Sequence, residues 1–334
     1  MSNPAMNTDV VAKSGLVVRN LVKSFVIKKS LTGRPLKSIH AVNDVSFSIP
    51  PATSLGLVGE SGCGKSTVAR ALLRLVEPTS GTVIFQGQDF LQASGRELRE
   101  LRQRIQIVFQ DPYSSLNPRM TIRQVLEEPM RVHKRGTSEE IRAKAEAVLQ
   151  EVGLPVAAID RFPHEFSGGQ RQRIGIARAL VLDPELIVAD EPVSALDVSV
   201  QAQILNLLEK LRHERGLSFL FVSHDLGVVR HFCEQVCVMY LGRIVEEGPT
   251  ADVLDLPHHP YTGMLRGSSP VPDPNARLEL EKIFGEVPSP ANPPSGCTFH
   301  PRCPKATELC KATSPQLTTL PNGRRVACHM PENI

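Results

Sequence analysis

The sequence predicts an α/β fold with a largely parallel sheet, followed by a loop-rich C-terminal tail. Short runs of β-branched and apolar residues alternate with amphipathic helical stretches through most of the 334-residue chain. Proline content then rises, because 15 of the 27 prolines follow residue 248. Since a single hydrophobic core rarely grows beyond about 250–300 residues, we expect one large domain over 14–265 and a smaller extension over 266–334.

The elements of the large domain are predicted from hydrophobic periodicity. Apolar residues recur every three or four positions in Ser138–Val152 and Val198–Arg212, which predicts two helices. The first lies in a mainly helical segment, about 112–183, which we expect to form a helical subdomain. The predicted strands are Leu16–Val18, Ser54–Val58, Ile105–Phe109, Leu186–Ala189, Ser218–Val222 and Gln235–Tyr240.

Composition and charge exclude several classes of protein. The 38 basic and 35 acidic residues leave a net charge of +3, which is too small to indicate a nucleic-acid-binding surface. No apolar run approaches the roughly 18 residues that a transmembrane helix needs. Met1–Lys13 also lacks the apolar segment of a signal peptide. We therefore expect a cytoplasmic chain that does not span a membrane.

A glycine-rich loop between a predicted strand and a predicted helix carries the first chemical motif. In such loops the backbone N–H groups converge on phosphates, Lys65 neutralises their charge and the Ser66 hydroxyl ligates Mg²⁺. An ordinary glycine-rich turn would lack this lysine and this serine, so the motif predicts a nucleotide site. The run that matches the pattern G-x-x-x-x-G-K-[ST] is Gly59-Glu60-Ser61-Gly62-Cys63-Gly64-Lys65-Ser66-Thr67.

An apolar predicted strand ends in two acids, Asp190 and Glu191. In an enzyme with a phosphate-binding loop, Asp190 would hold the metal through its water shell and Glu191 would polarise the attacking water. A solvated Asp-Glu-Pro turn is the alternative, and the upstream glycine-rich loop favours the catalytic interpretation. These two motifs do not distinguish a kinase from a GTPase or an ATPase.

A third motif, Phe166-Ser167-Gly168-Gly169-Gln170-Arg171-Gln172-Arg173, stands at the start of a predicted helix. With it the chain resembles the ATP-binding subunits of ABC transporters. The resemblance implies a P-loop NTPase fold with a RecA-like core, an antiparallel β subdomain and a helical subdomain. It also implies that Ser167, Gly168, Gly169 and Gln170 of one subunit close over the nucleotide bound to its partner, so that ATP joins the two.

The resemblance implies roles for four further residues. A lone phenylalanine or histidine at a strand end is more often structural, so these roles depend on the family pattern. In that pattern, Phe25 at the end of the first strand stacks on adenine, Gln110 contacts Mg²⁺ and water, Asp197 contacts the partner subunit's phosphate site, and His224 contacts the γ-phosphate.

Other stretches resemble a narrower group, the peptide and nickel importer ATPases, and most of all its dipeptide-import subunits. They are Phe109–Arg119, His259–Thr262 and Pro288–Pro290, while the basic insert 28–37 fits either this group or a solvated loop. The implied function is ATP hydrolysis that energises import of dipeptides or oligopeptides. Nickel or glutathione import, or a soluble nucleotide-gated clamp, are the alternatives.

This resemblance also implies partners and a location. A second related ATPase subunit would complete a heterodimer on two integral membrane permeases. An extracytoplasmic solute-binding protein would act indirectly, and no nucleic acid would bind. The subunit would then be peripheral to the cytoplasmic face of the bacterial inner membrane.

Four of the seven cysteines, Cys297, Cys303, Cys310 and Cys328, lie in the tail with spacing C-x5-C-x6-C-x17-C. No C-x2-C pair is present, so spacing alone leaves an iron–sulfur site, a zinc site and free thiols open. A metal would order a tail that has few large apolar residues. The importer group carries a [4Fe–4S] cluster on such cysteines, and the resemblance implies one here, with zinc as the alternative. Cys63, Cys233 and Cys237 are expected to pack in the core or in loops.

Overall fold

A computed structural model describes residues 15–30, 35–268 and 285–333. The Met1–Lys13 stretch and part of the basic insert 28–37 lie outside these residues. The chain divides into two compact units. The first combines Ile49–Thr53 with Gln92–Phe221, and the second combines Leu16–Ser48, Ser54–Leu91 and the residues from Val222 onward.

The bounds of the regular elements follow the predicted alternation. The strands are β1 Leu16–Lys29, β2 Pro35–Ile49, β3 Ser54–Val58, β4 Ser80–Phe85, β5 Gln88–Asp89, β6 Ile105–Val108, β7 Leu186–Asp190, β8 Ser218–Ser223, β9 Gln235–Tyr240, β10 Arg243–Pro249, β11 Thr318–Thr319 and β12 Arg325–Val326. The helices are α1 Lys65–Leu72, α2 Gly95–Arg104, α3 Pro112–Ser115, α4 Ile122–Val132, α5 Ser138–Glu151, α6 Gly168–Leu180, α7 Val198–Arg215, α8 Leu226–Phe232, α9 Thr250–Asp255, α10 Pro260–Gly267 and α11 Glu308–Ala312. In the part of the chain described here, no helix is both long and apolar enough to cross a membrane.

In the first unit, β6 and β7 pair in parallel and the strand order is β8-β7-β6. The helical segment predicted over about 112–183 contains α3 to α6. Helices α4 and α5 each begin with a reciprocal capping box, at Thr121 and Thr137. The two helices predicted from periodicity are confirmed, and α7 continues to Arg215 because Gly216 ends it in the left-handed conformation, φ 63°.

The second unit contains an antiparallel sheet in the order β2-β1-β4-β5, as the family resemblance implied. Strand β1 runs far beyond the predicted Leu16–Val18. Its outer residues Phe25, Val26 and Ile27 are 41–53% exposed. These three apolar residues therefore belong to the strand without being buried in a core.

The second unit also contains strands in the order β11-β12-β10-β9-β3, with β3 and β9 parallel. Strands β11 and β12 come from the C-terminal tail, and β12 pairs antiparallel with β10. Val326 is fully buried there, and Ala327 N–H donates to the Val245 carbonyl at 2.8 Å. The tail is thus part of this unit, although strands of two residues are too short to leave a periodic signal. The predicted boundary at 265/266 stays a prediction, because residues 269–284 lie outside the described chain.

Candidate functional site: a phosphate loop, a signature helix and a cysteine pocket

The glycine-rich loop joins β3 to α1 along a path that only glycine permits at both ends. Gly59 and Gly64 have φ values of +152° and +110°. A Cβ atom on Gly59 would lie 2.1 Å from the Met239 carbonyl oxygen, and one on Gly64 would lie 2.1 Å from the Ala41 carbonyl oxygen. The loop therefore passes tightly against neighbouring backbone, which fixes the direction of its own N–H groups.

Lys65, the first residue of α1, is 4% exposed, and its ammonium turns back over the loop. Its Nζ donates to the Gly59 carbonyl at 2.7 Å and to the Glu60 carbonyl at 3.0 Å. A buried ammonium must keep acceptors, and phosphate oxygens are acceptors of the right charge. Cys63 is buried beside it, and burial raises the pKa of this thiol. Ser61 and Gly62 are exposed at the turn of the loop.

The first unit brings two of the predicted catalytic residues together. Strand β7 is buried throughout and ends in Asp190, and Glu191 follows it with φ 49° and 8% exposure. Gln110 Nε2 donates to Glu191 Oε2 at 2.9 Å although the two residues are 81 apart in sequence. A left-handed glutamate is strained, and such strain clusters at functional sites. The arrangement holds one carboxylate, with a defined hydrogen-bond partner, at a strand end.

The Ser-Gly-Gly-Gln motif opens α6 with its own cap. The Ser167 hydroxyl accepts from Gln170 N–H at 3.4 Å, and Gln170 Oε1 accepts from Ser167 N–H at 3.0 Å. Both residues are exposed. A Cβ atom on Gly169 would lie 2.4 Å from Val200 Cγ1, whereas one on Gly168 would meet Leu196 at an ordinary 3.6 Å. The helix N-terminus therefore faces outward.

The other predicted nucleotide contacts lie at accessible positions. Phe25 is 41% exposed, with Lys23 Nζ 4.8 Å from its ring centroid; it lies inside β1, so the prediction that it ends the first strand was wrong. His224 is exposed directly after β8. Asp197 is exposed at the N-cap position of α7 but makes no side-chain capping hydrogen bond.

Two residues that the sequence analysis missed, Tyr261 and Arg302, contact the phosphate loop. Arg302 donates two hydrogen bonds to the Glu60 carboxylate, at 2.6 and 2.9 Å. The Tyr261 hydroxyl accepts from Glu60 N–H at 2.8 Å. Glu60 occupies an unspecified position of the motif, and Arg302 lies 242 residues away. No local pattern could have paired them.

The four tail cysteines line one cavity, together with His259, Phe299, His300 and His329. Burial raises the pKa of the Cys297 and Cys303 thiols, and raises that of Cys328 to about 11. Thiolate ligands suit a soft metal centre. Within the described ranges, however, no group of three or more His, Cys, Asp or Glu side chains could hold a metal ion. The cavity thus gathers the right donor atoms without the ligand geometry of a single ion.

A buried ion pair between Arg324 and Glu246 attaches the tail to β10. Glu246 is fully buried, and its carboxylate accepts from Arg324, from His258 N–H at 2.8 Å and from His259 N–H at 3.0 Å. Burial lowers the pKa of His259 to about 3. The ring is therefore neutral at pH 7, and its Nδ1 accepts from Tyr261 N–H at 3.0 Å. These bonds set the start of α10.

Comparison with known families gives two matches along the chain. Residues 42–194 match the ABC transporter family, and residues 245–310 match the C-terminal region of oligopeptide and dipeptide transporters. The chain is 51% identical to the oligopeptide transport ATP-binding protein AppF of Bacillus subtilis, over 94% of this chain and 97% of that protein. It is 49% identical to the dipeptide transport ATP-binding protein DppF of Haemophilus influenzae, over 92% of this chain and 94% of that protein.

Solved structures agree with the fold. A dimer of the ATP-binding cassette MJ0796, in a post-hydrolysis state bound to ADP and Pi, aligns with a TM-score of 0.62 at 31% sequence identity. The alignment covers 70% of this chain and 98% of that one. The cbiO1 protein of Clostridium perfringens, part of the ABC transporter complex cbiONQ, also aligns with a TM-score of 0.62, at 28% identity.

Proposed function

The chain belongs to the ABC transporter ATP-binding family, and from that premise we propose that it is the ATP-hydrolysing subunit of a bacterial importer of dipeptides or oligopeptides. Matches to both the ATPase domain and the peptide-transporter C-terminal region support this function. The single observation that carries hydrolysis is the 2.9 Å hydrogen bond between Gln110 and Glu191. A glutamate with a fixed amide partner at the end of a buried strand is suited to act as a general base.

In this proposal the phosphate loop binds and Glu191 performs the chemistry. The loop N–H groups and Lys65 hold the β- and γ-phosphates. The attacking water gives its proton to the Glu191 carboxylate as its oxygen bonds to the γ-phosphorus, and the bond from that phosphorus to the bridging oxygen breaks to leave ADP. Gln110 orients the carboxylate and the water, and His224 contacts the γ-phosphate.

The residues proposed for Mg²⁺ are Ser66, Gln110 and Asp190. Hydroxyl, amide and carboxylate oxygens are the hard ligands that this ion accepts, usually together with phosphates and water. When bound, the ion neutralises charge on the phosphates. In the chain, Ser66 is the second residue of α1, Gln110 follows β6 by two residues, and Asp190 is the last residue of β7.

We further propose that a second, related ATPase subunit completes each site. The exposed N-terminus of α6 and the exposed Asp197 support this arrangement, because both leave polar groups at the surface of the first unit. Phe25, also exposed, would stack on adenine. A heterodimer of this kind would sit at the cytoplasmic face of the bacterial plasma membrane, on two permeases served by an extracytoplasmic solute-binding protein.

A groove on the first unit supports permease contact. Charged side chains and apolar surface both line it, and Val132 at its edge is 68% exposed. A cytoplasmic helix of a permease would fit such a groove. The residues that line it belong to α4 and the turn before it: Arg119, Met120, Gln124, Glu127, Glu128, Arg131 and Val132.

We propose that the tail cysteines hold a [4Fe–4S] cluster, with a zinc ion as the alternative. The supporting observation is that Cys297, Cys303, Cys310 and Cys328 line one cavity, since four thiolates are the usual ligands of such a cluster. Anaerobically purified protein should be brown, absorb near roughly 400 nm and contain iron and sulfide. Cys310→Ser should bleach it, whereas Cys233→Ser, at a buried packing position, should not. Colourless protein with one zinc would support the alternative, and metal-free protein would contradict both.

The transport function is tested by reconstitution. The chain, its partner ATPase and the permeases are placed in vesicles, and uptake of a labelled dipeptide and a labelled oligopeptide is measured with ATP present. We expect peptide-dependent uptake that Glu191→Gln abolishes. Uptake of nickel or glutathione without peptide would move the chain to another member of the same importer group, and ATP hydrolysis without any uptake would support a soluble clamp.

A further inference from the structure

The C-terminal extension contacts the phosphate loop through an almost buried ion pair. Arg302 lies in a short 3-10 turn, His300–Arg302, and its side chain is 3% exposed, against 24% for Glu60. Its two terminal nitrogens reach the two carboxylate oxygens of Glu60 at 2.6 and 2.9 Å. Such bidentate pairs fix geometry as well as charge. Removal of one partner leaves the other as an uncompensated charge in a desolvated site.

Aromatic rings surround this ion pair and make its position rigid. The Tyr240, Tyr261 and Phe299 rings pack together, with centroids 4.6–5.5 Å apart, and all three side chains are 1% exposed or less. The Arg302 guanidinium lies 5.9 Å from the Tyr240 ring centroid and 6.0 Å from that of Phe299. Glu60 N–H is bound to the Tyr261 hydroxyl at 2.8 Å. Arg302 therefore fixes the side chain of Glu60, and Tyr261 fixes its backbone.

Glu60 in turn positions groups that face the phosphates. Its carbonyl oxygen accepts from Lys65 Nζ at 3.0 Å and from Cys63 N–H at 3.3 Å. A displacement of Glu60 would thus move both the lysine and the loop N–H groups. Because preorganised donors bind a ligand without a further ordering cost, the contacts behind Glu60 bear directly on nucleotide affinity.

We propose that Arg302 is a positioning residue for nucleotide binding, which acts through Glu60 and makes the C-terminal extension a structural part of the ATP site. This inference rests on the proposed function as an ATPase. Phe299, which packs against Tyr261, also lines the cysteine cavity, and Cys303 directly follows Arg302. The cysteine cavity and the phosphate loop therefore share one aromatic wall, so loss of order in the tail weakens nucleotide binding.

The test compares Arg302→Gln, Arg302→Lys and a control in the same extension. Calorimetric titration with MgADP should show the Kd of Arg302→Gln about tenfold above wild type, equal to about 1.4 kcal/mol. Arg302→Lys should recover only part of the affinity, because an ammonium cannot make the bidentate pair. Lys311→Gln, which breaks an exposed ion pair with Glu308, should leave the Kd unchanged. In the paired ATPase, Arg302→Gln should raise KM with little change in kcat, since the contact affects binding of nucleotide and transition state alike.

Hydrogen exchange over residues 297–310 shows whether the tail stays folded in each variant. If it stays folded in Arg302→Gln and the Kd for MgADP is unchanged, the positioning role is wrong. If the tail unfolds in Arg302→Gln, the variant Glu60→Gln tests the same ion pair by changing its partner in the phosphate loop. An unchanged Kd for MgADP in Glu60→Gln also overturns the positioning role. Wild-type chain that binds MgADP, loses affinity on Arg302→Gln and yet never hydrolyses ATP with its partners would contradict the proposed function and leave this inference intact.

Discussion

Two helix N-termini in this protein are built in opposite ways. Gly64 stands at the N-cap position of helix α1 and has no side chain to cap it, and the first residue of the helix is the buried Lys65. The exposed Ser167 stands at the N-cap position of helix α6 and exchanges hydrogen bonds with Gln170. Both ends carry the positive end of a helix dipole. Only the first leaves its opening N–H groups without a side-chain cap.

The difference favours the loop before α1 as the primary phosphate site. Distant parts of the same unit support the loop before α1, from the Met239 and Ala41 carbonyls to Arg302 in the tail. The N-terminus of α6 is capped by its own residues Ser167 and Gln170 and is exposed. This is expected of a surface that contacts a ligand bound to another subunit. The first N-terminus should therefore respond to changes far away in the chain, and the second only to changes nearby or to its partner.

The largest effect should come from Glu191, the proposed catalytic base. Glu191→Gln keeps the shape of the side chain but removes the base, so kcat should fall by about 10²–10⁴-fold. ATP should still bind and stabilise the paired state. Lys65→Ala should instead weaken ATP binding itself. Equilibrium binding and single-turnover hydrolysis separate the two, and near-normal turnover by Glu191→Gln would exclude it as the base.

Matched glycine variants test the contrast between the N-termini. Gly59→Ala places a Cβ atom against backbone at a strained φ, which costs about 1–3 kcal/mol. MgADP affinity of the isolated chain should fall by about tenfold or more. Gly168→Ala has room for its Cβ, so the same affinity should be unchanged. Equal losses in both variants, measured by calorimetry, would remove the distinction between the two sites.

Acid should loosen the support behind the first site. The folded-state pKa of His259 is about 3, below the usual value of about 6.5, so its stabilising contribution is present above pH 6.5 and is lost as pH falls. Between pH 6.5 and 5 the free energy of unfolding should drop by about 2 kcal/mol. His259→Asn retains an N-cap acceptor without titration and should show a smaller drop. Chemical denaturation at pH 6.5 and pH 5 measures the free energy of unfolding of wild type and His259→Asn. An identical pH dependence in the two proteins would contradict the role of the buried, neutral His259.

The smallest effect should come from the second N-terminus. Ser167→Ala removes the cap of α6, which should lower the free energy of unfolding by about 1 kcal/mol. Affinity of the isolated chain for MgADP should not change, because the hydrogen bonds of this cap join Ser167 to Gln170 within one helical turn. Thermal unfolding and calorimetry give both values. A loss of nucleotide affinity without a partner present would show that the two N-termini are coupled within one chain.

Local sequence patterns predicted the parts of the site that lie within one segment. The glycine spacing of the phosphate loop, the acids at the end of β7 and the reciprocal residues Ser167 and Gln170 each lie within one short segment, although Gly59 and Gly64 also pack against the distant Met239 and Ala41 carbonyls. Backbone conformation and helix capping involve only a few consecutive residues. The sequence alone therefore specifies these features, and with them the conformation of the glycine-rich loop, the two helix N-termini and the α/β alternation.

The tertiary structure alone decided which distant residues meet. Gln110 pairs with Glu191 across 81 residues, and Arg302 pairs with Glu60 across 242. It also joined the two-residue strands of the tail to β10 and gathered four cysteines around one cavity. An arginine or a glutamine in a loop carries no periodic signal that names its partner, because a long-range contact depends on how whole elements pack. The position of the tail against the phosphate loop was therefore absent from every local pattern.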